Sequence, residues 1–229
     1  MNKIKLTKEN RNEEFIIAHA DVIDWWCVSR EIDIKLFSDD FFLRFQHEIN
    51  WYHILNGNLS ITTEFAHKFE KQIGSKRWYL NGKTHREGGP AVIWKNGTEE
   101  WYLNGKLHRE DVPAVIYEDG SKSWFLNGVS HREDGPAVIY KDEHEYWYIN
   151  GLLHREDGPA IIYSNGYKAW YLNGKLHREN GPAVIDEHGT EAWYLNGVFH
   201  REDGPAIEWK DGTEEWYLNG KEQLQPNIK

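Results

Sequence analysis

Six His-Arg-Glu triplets, headed by His85, His108, His131, His154, His177 and His200, recur at a constant spacing of 23 residues. Imidazole beside guanidinium and carboxylate is the material of a metal ladder or of general acid–base catalysis. The spacing tells against a ladder. Two imidazole nitrogens on one zinc lie within about 3.5 Å of each other, whereas repeats that each add two strands to a sheet stand about 10 Å apart. A regular array also repeats one environment, whereas an active site needs a single shaped pocket with perturbed groups. There is no Gly-rich phosphate loop, no Ser or Cys elbow and no H-E-x-x-H. The expectation is a protein that is not an enzyme, with no catalytic residue, no metal and no cofactor. The triplets then form a turn-stabilising network in which His bonds to backbone while Arg and Glu pair with neighbouring loops.

The elements that position the triplets follow from the rest of the unit. Trp78, Trp101, Trp124, Trp147, Trp170, Trp193 and Trp216 keep the same 23-residue period. The consensus is W-Y-L-N-G-K-L-H-R-E-D-G-P-A-V-I-Y-x-D-G-T-E-x. Val-Ile-Tyr and Trp-Tyr-Leu runs suit strands. Asn96-Gly97, Asp119-Gly120, Asn165-Gly166, His188-Gly189 and Asp211-Gly212 read as two-residue type I′ turns. The third repeat breaks the rule, with Glu143-His144 read as a strained or longer turn. A second Asn-Gly closes each Trp-Tyr-Leu strand, and a proline then blocks pairing and restarts the unit. Pairing Lys95 with Thr98 puts Val92, Trp94, Trp101 and Leu103 on one face, and Ala91, Ile93 and Tyr102 on the other. A lone hairpin cannot bury such faces, so neighbours stack into a continuous sheet, with mid-array Trp124 and Trp147 largely buried. Core packing is the first reading of the aromatic stripes; a ligand-binding aromatic face is the second.

The Y-x-N-G-K-x-H-x-x-x-G and D-G-T/S elements over residues 78–221 resemble MORN repeats, which form β-hairpin arrays. The H-R-E-D-G-P-A linker is two residues longer than in ordinary MORN units. The fuller W-Y-L-N-G-K-L-H-R-E-D-G-P-A-V-I form is similar to repeat proteins of tailed phages and large DNA viruses. The resemblance implies binding and assembly, sometimes lipid contact, and no catalysis. Charge bears on the lipid role. The chain carries a net −10, and residues 78–221 hold 24 Asp/Glu against 15 Lys/Arg. Such a surface repels phosphate backbones and anionic headgroups, so direct nucleic-acid and lipid contact are not expected.

Residues 12–74 read as helical. Asn12, Ser38 and Thr62 each stand as an N-cap before acids and an apolar face. Phe15, His19 and Ile23 align with Phe41, Phe45 and Ile49, then with Phe65, Phe69 and Ile73, as i, i+4, i+8 stripes. Asp24-Trp25 and Asn50-Trp51 open a second short helix, a pattern that also resembles short helical repeats of phage and giant-virus proteins. This part caps the first edge of the sheet or binds a partner by itself. The fold class is α+β: a helical domain (1–77), an elongated array of stacked 23-residue hairpins (78–221) and a tail (222–229). The single cysteine, Cys27, reads as a buried helix residue, and its solitude fits a reducing compartment. With no apolar leader and no apolar span, the expected location is the cytoplasm, the host's if the protein is viral.

Ser123, Ser130, His144, Tyr146, Ala169, Asp186, Ala192, Phe199 and Glu208 depart from consensus at fixed repeat positions. These departures mark where a specific protein partner is read, the plain alternative being neutral variation. Glu99, Glu100, Glu214 and Glu215 add an acidic rim suited to a basic partner. Two function classes follow: a phage- or virus-encoded protein that binds and modulates a host protein such as a defence component, or a structural assembly module.

Overall fold

In a computed structural model the described residues are 11–21, 23, 25, 28–29, 32–57 and 61–225. The positions of Cys27 and Asp24 lie outside them. The chain divides into two compact segments, Met1–Lys106 and Leu107–Lys229.

The first segment opens with short helices whose starts the sequence marks. Asn12, Ser38 and Thr62 accept the backbone N–H three residues on, at 2.8, 3.1 and 3.2 Å, and begin helices Glu13–Ala18, Asp39–Arg44 and Thr63–Lys68. Ile23, Phe41, Phe45, Ile49 and Phe69 are buried in one cluster, with Phe15, Phe65 and Ile73 packed on it. The recurrence extends to hydrogen bonds. Trp25 Nε1 donates to the Ala20 carbonyl and Trp51 Nε1 to that of Gln46, both at 3.1 Å. Ser29 Oγ accepts from the Asn50 amide at 2.8 Å and ties one helical repeat to the next. Strand Ser75–Arg77 pairs on one side with Val92–Trp94, and helices Thr63–Lys68 and Glu70–Ile73 pack against it. Thr63 Oγ1 accepts from the Tyr79 amide at 2.6 Å.

The chain contributes fourteen strands to an antiparallel sheet of stacked hairpins, three in the first segment and eleven in the second. Register corrects the two-residue reading of the sheet turns. Val92 faces Glu100 and Ile93 faces Glu99, while the Trp94 amide donates to the Thr98 carbonyl. The loop therefore has three residues, Lys95-Asn96-Gly97, and only Gly97 takes positive φ (93°). This is a type I turn closed by a left-handed residue, the usual three-residue hairpin. Trp101 consequently leaves the face assigned to it, which Glu100 occupies instead. The third repeat has the same length: its turn is Lys141-Asp142-Glu143, with Glu143 forced to φ 65° in the glycine position.

The type I′ turns lie at the other Asn-Gly. Asn81 (φ 50°) and Gly82 (φ 72°) join Tyr79–Leu80 to Lys83–Thr84, with Tyr79 facing Thr84. Each repeat thus carries two hairpins, one in the long sheet and one in a separate two-stranded ribbon. The alanine after each proline (Ala91, Ala114, Ala137, Ala160, Ala183, Ala206) is fully buried. Trp124 is buried, but Trp147 is only half-buried, short of the expectation for a mid-array indole.

Candidate functional site: a tyrosine face on the repeat sheet

The most regular side chains have structural partners. His108 Nδ1 accepts from the Asn127 amide at 3.2 Å, and His131, His154, His177 and His200 accept likewise from Asn150, Asn173, Asn196 and Asn219. His85 does the same with Asn104. Each imidazole so pins the ribbon turn of the next repeat. The arginine stays in its own repeat. The guanidinium of Arg132 lies 4.2 Å over the Trp124 ring, and Arg86, Arg155, Arg178 and Arg201 lie 3.8–4.0 Å over Trp78, Trp147, Trp170 and Trp193. Each also donates to the carbonyl of its own proline, as Arg132 does to Pro136. This corrects the expectation that Arg and Glu reach neighbouring loops: Glu133 lies 3.7 Å from His131 in its own loop. Among the described residues no group of three or more His, Cys, Asp or Glu is placed to hold a metal ion.

Several of the residues that vary between repeats collect on one sheet face. In residues 107–229 the pairing puts Val115, Ser123, Val138, Tyr146, Ile161 and Ala169 in line on that face. The residue two beyond each Val or Ile shares the face: Tyr117, Tyr140, Tyr163, Asp186 and Trp209. Tyr117, Tyr140 and Trp209 are 40–46% exposed. The rings meet in the third and fourth repeats. Tyr140 lies 5.7 Å edge-on to Tyr146, Tyr146 lies 5.8 Å from Tyr163, and Tyr163 lies 5.0 Å from Tyr167. His144 lies 4.6 Å from Tyr163 with its ring tilted by 33°. The Tyr146 hydroxyl donates to that of Tyr163 at 2.9 Å. Burial, and then the Tyr163 hydroxyl beside it, hold the Tyr146 phenol well above its ordinary value. The cluster presents rings and hydroxyls, suited to contact.

The residues singled out in the sequence separate into three groups. His144 and Tyr146 are in the ring cluster. Ser123 and Ala169 lie on the same face but are buried, so they are not partner-facing. Ala192 lies there too, between Val184 and Ile207. Asp186 spends its carboxylate on the turn, accepting from the His188 and Thr190 amides at 2.9 and 2.7 Å. Glu100 accepts from Trp94 Nε1 at 2.8 Å, and Glu215 from Trp209 Nε1 at 3.1 Å, so these rim acids orient indoles. Glu99, Glu208 and Glu214 point to the opposite face, where Glu208 closes an ion pair with Arg201. Ser130 and Phe199 belong to the ribbons, and Phe199 sits 4.2 Å from Tyr194 and 5.2 Å from Tyr217. Tyr140, Tyr163 and Tyr167 were missed. Tyr140 and Tyr163 stand two beyond Val138 and Ile161, and Tyr167 faces Tyr163 across the turn; their alignment with Tyr146 is legible only once the turn is given three residues.

One arrangement in the cluster has the order of an acyl-transfer triad. Asp142 lies 3.4 Å from His144 Nδ1, and His144 Nε2 lies 3.1 Å from Ser164 Oγ. Such chemistry works in a water-excluded site with donors aimed at an oxyanion. Here Asp142 is 61% exposed and Ser164 stands on an open turn, so the contact is a staple between consecutive sheet turns. No protein-family model matches the chain, and no curated protein matches it. Among the described residues no helix is long and apolar enough to cross a membrane.

Proposed function

We propose that the chain is a non-enzymatic protein-binding repeat protein that uses its tyrosine face to hold a partner. One observation carries the reading. The positions that build the repeat are filled alike and tied to one another, whereas departures from the unit at His144, Tyr146 and Tyr167 gather beside the consensus tyrosines Tyr140 and Tyr163 on one face. Tyrosine supplies large, rigid, amphipathic contact area at low entropy cost, which is why it is enriched where proteins meet. The resemblance to MORN-type repeats of tailed phages and large DNA viruses supports a phage- or virus-encoded protein acting in the host cytoplasm. Its partner is then a host protein, such as a defence component, that it modulates or inhibits.

The experiment is affinity purification of the tagged full chain from infected host cells, followed by reassembly with the purified partner. The expected result is a complex that Tyr146→Ala weakens. Recovery of the chain only within purified particles, with no separate partner, would replace this reading with assembly.

A further inference from the structure

We propose that the tyrosine face is a receptor for arginine and lysine side chains presented by a basic segment of the partner. This rests on the protein-binding reading and names the chemistry that the partner brings.

The fold itself shows how this chain satisfies an aromatic face. In five repeats the Trp ring is covered by a guanidinium of its own repeat at 3.8–4.2 Å. The rings of Tyr140, Tyr146, Tyr163 and Tyr167 carry no such cation among the described residues. Ring faces attract cations through their quadrupole; Tyr140 is 46% exposed, while Tyr146, Tyr163 and Tyr167 are half-buried against one another and His144.

The surroundings supply negative charge and little competition. The turns on either side of Ser164–Gly166 carry Asp142, Glu143, Asp186 and Glu187 against Lys141 alone. Lys168 pairs with Ile162 and Ile185, and Lys122 with Ile116 and Ile139, so both ammonium groups leave from the opposite face. Phenol hydroxyls beside the rings can accept from guanidinium N–H groups, and neighbouring rings are 5.0–5.8 Å apart. Stacking on rings with a carboxylate rim is a recognition mode that favours arginine over lysine.

The test uses the full chain and a capped hexa-arginine peptide, with hexa-citrulline as the neutral isostere, measured by calorimetry at low and moderate salt. Tyr140→Leu/Tyr163→Leu keeps apolar bulk and removes the ring faces; Tyr140→Phe/Tyr163→Phe keeps them. The Leu pair is expected to bind hexa-arginine about tenfold more weakly, while the Phe pair stays within about threefold of the parent. Hexa-citrulline should not bind. If the Leu pair melts early, Tyr140→Leu alone, at an exposed position, gives the same comparison. Equal binding by the Leu and Phe variants, or equal binding of citrulline and arginine peptides, overturns the proposal. If the purified partner binds the Leu pair as tightly as the parent, this inference falls and the protein-binding reading stands. If arginine discrimination holds but no partner is recovered, that reading falls and the cation site stands.

Discussion

Gly135→Ala tests the sandwich that repeats through the array. A Cβ at Gly135 would stand 2.7 Å from Arg132 Cζ and 3.0 Å from its Nε and Nη1, where carbon contacts settle at about 3.5–4.0 Å. The guanidinium cannot retreat, because the Trp124 ring lies 4.2 Å away on its other side. It must leave the sandwich, giving up the stacking and the 3.3 Å bond from Nη1 to the Pro136 carbonyl. A partly buried cation–π contact contributes about 1 kcal/mol and a charged donor bond about 1.5–3 kcal/mol. The reduced freedom of the unfolded chain returns about 0.4–1 kcal/mol. The expected net loss is about 2 kcal/mol, read as a lower urea midpoint at unchanged slope. Val112 shows why the background matters. It occupies the equivalent position in the second repeat, yet Arg109 still donates to Pro113 at 3.1 Å, with Asp111 turned to φ 59°. Asp134 has no such backbone to offer. In an Arg132→Ala background Gly135→Ala should cost nothing further, since the clash partner is gone. An equal loss in both backgrounds would refute the sandwich.

Three further outcomes follow. Glu143→Gly should stabilise by about 0.5–1 kcal/mol, because an L residue in the left-handed region costs about 1–2 kcal/mol and glycine's extra unfolded-state freedom takes back part; a thermal midpoint that fails to rise would contradict the strained turn. His154→Ala should leave the Asn173 amide without its acceptor, costing about 1 kcal/mol and speeding hydrogen exchange at that amide above all; unchanged protection there would deny the link between repeats. Burial raises the phenols of Tyr146, Tyr148, Tyr167, Tyr171 and Tyr194. Raised values favour the protonated fold, so their stability is complete below the ordinary tyrosine value of about 10 and is lost as pH climbs through the folded values. Denaturant melts should therefore show an alkaline decline that Tyr146→Phe makes shallower, and an identical decline in that variant would count against it.

Helix starts were legible because a cap is local: Asn12, Ser38 and Thr62 need only the amide three residues on. The 23-residue unit and the antiparallel hairpins were legible for a similar reason, since the pattern repeats whatever its register. Register itself was not. Asn96-Gly97 satisfies a type I′ turn as a dipeptide, yet the chain spends Asn96 Oδ1 on the Thr98 amide at 3.0 Å and leaves only Gly97 left-handed. One residue of slip exchanges the faces of a strand. That slip put Trp101 where Glu100 stands and hid the alignment of Tyr140, Tyr146 and Tyr163. His144 and Tyr146 were still visible as departures from the unit, since irregularity needs no register. The ribbon strand Lys83–Thr84 was overlooked because two residues before a His-Arg-Glu linker carry too little β signal by themselves.

The bonds that link repeats join nearest neighbours at fixed positions. His131 holds Asn150 of the following ribbon, the Arg132 amide donates to the Tyr148 carbonyl at 3.0 Å, and the Gly151 amide donates to the Ser130 carbonyl at 2.8 Å. None of these runs through the side chains at positions 140, 146, 163 or 167. An array stabilised in this way is close to a sum of repeat and interface terms. Side chains on the Val115 face can then change without disturbing the backbone that presents them. The opposite face illustrates the same freedom at a cost: Glu191, Glu208 and Glu214 stand directly across from one another, a like-charge line that is destabilising. Arg201 neutralises Glu208 alone among them. Both faces of these repeats therefore present negative charge, and the Val115 face adds aromatic rings beside it. Long-range attraction brings a basic partner toward either face, and short-range stacking selects the tyrosines. Added salt should consequently slow association with the partner more than it speeds dissociation, whereas Leu at Tyr140 and Tyr163 should do the reverse.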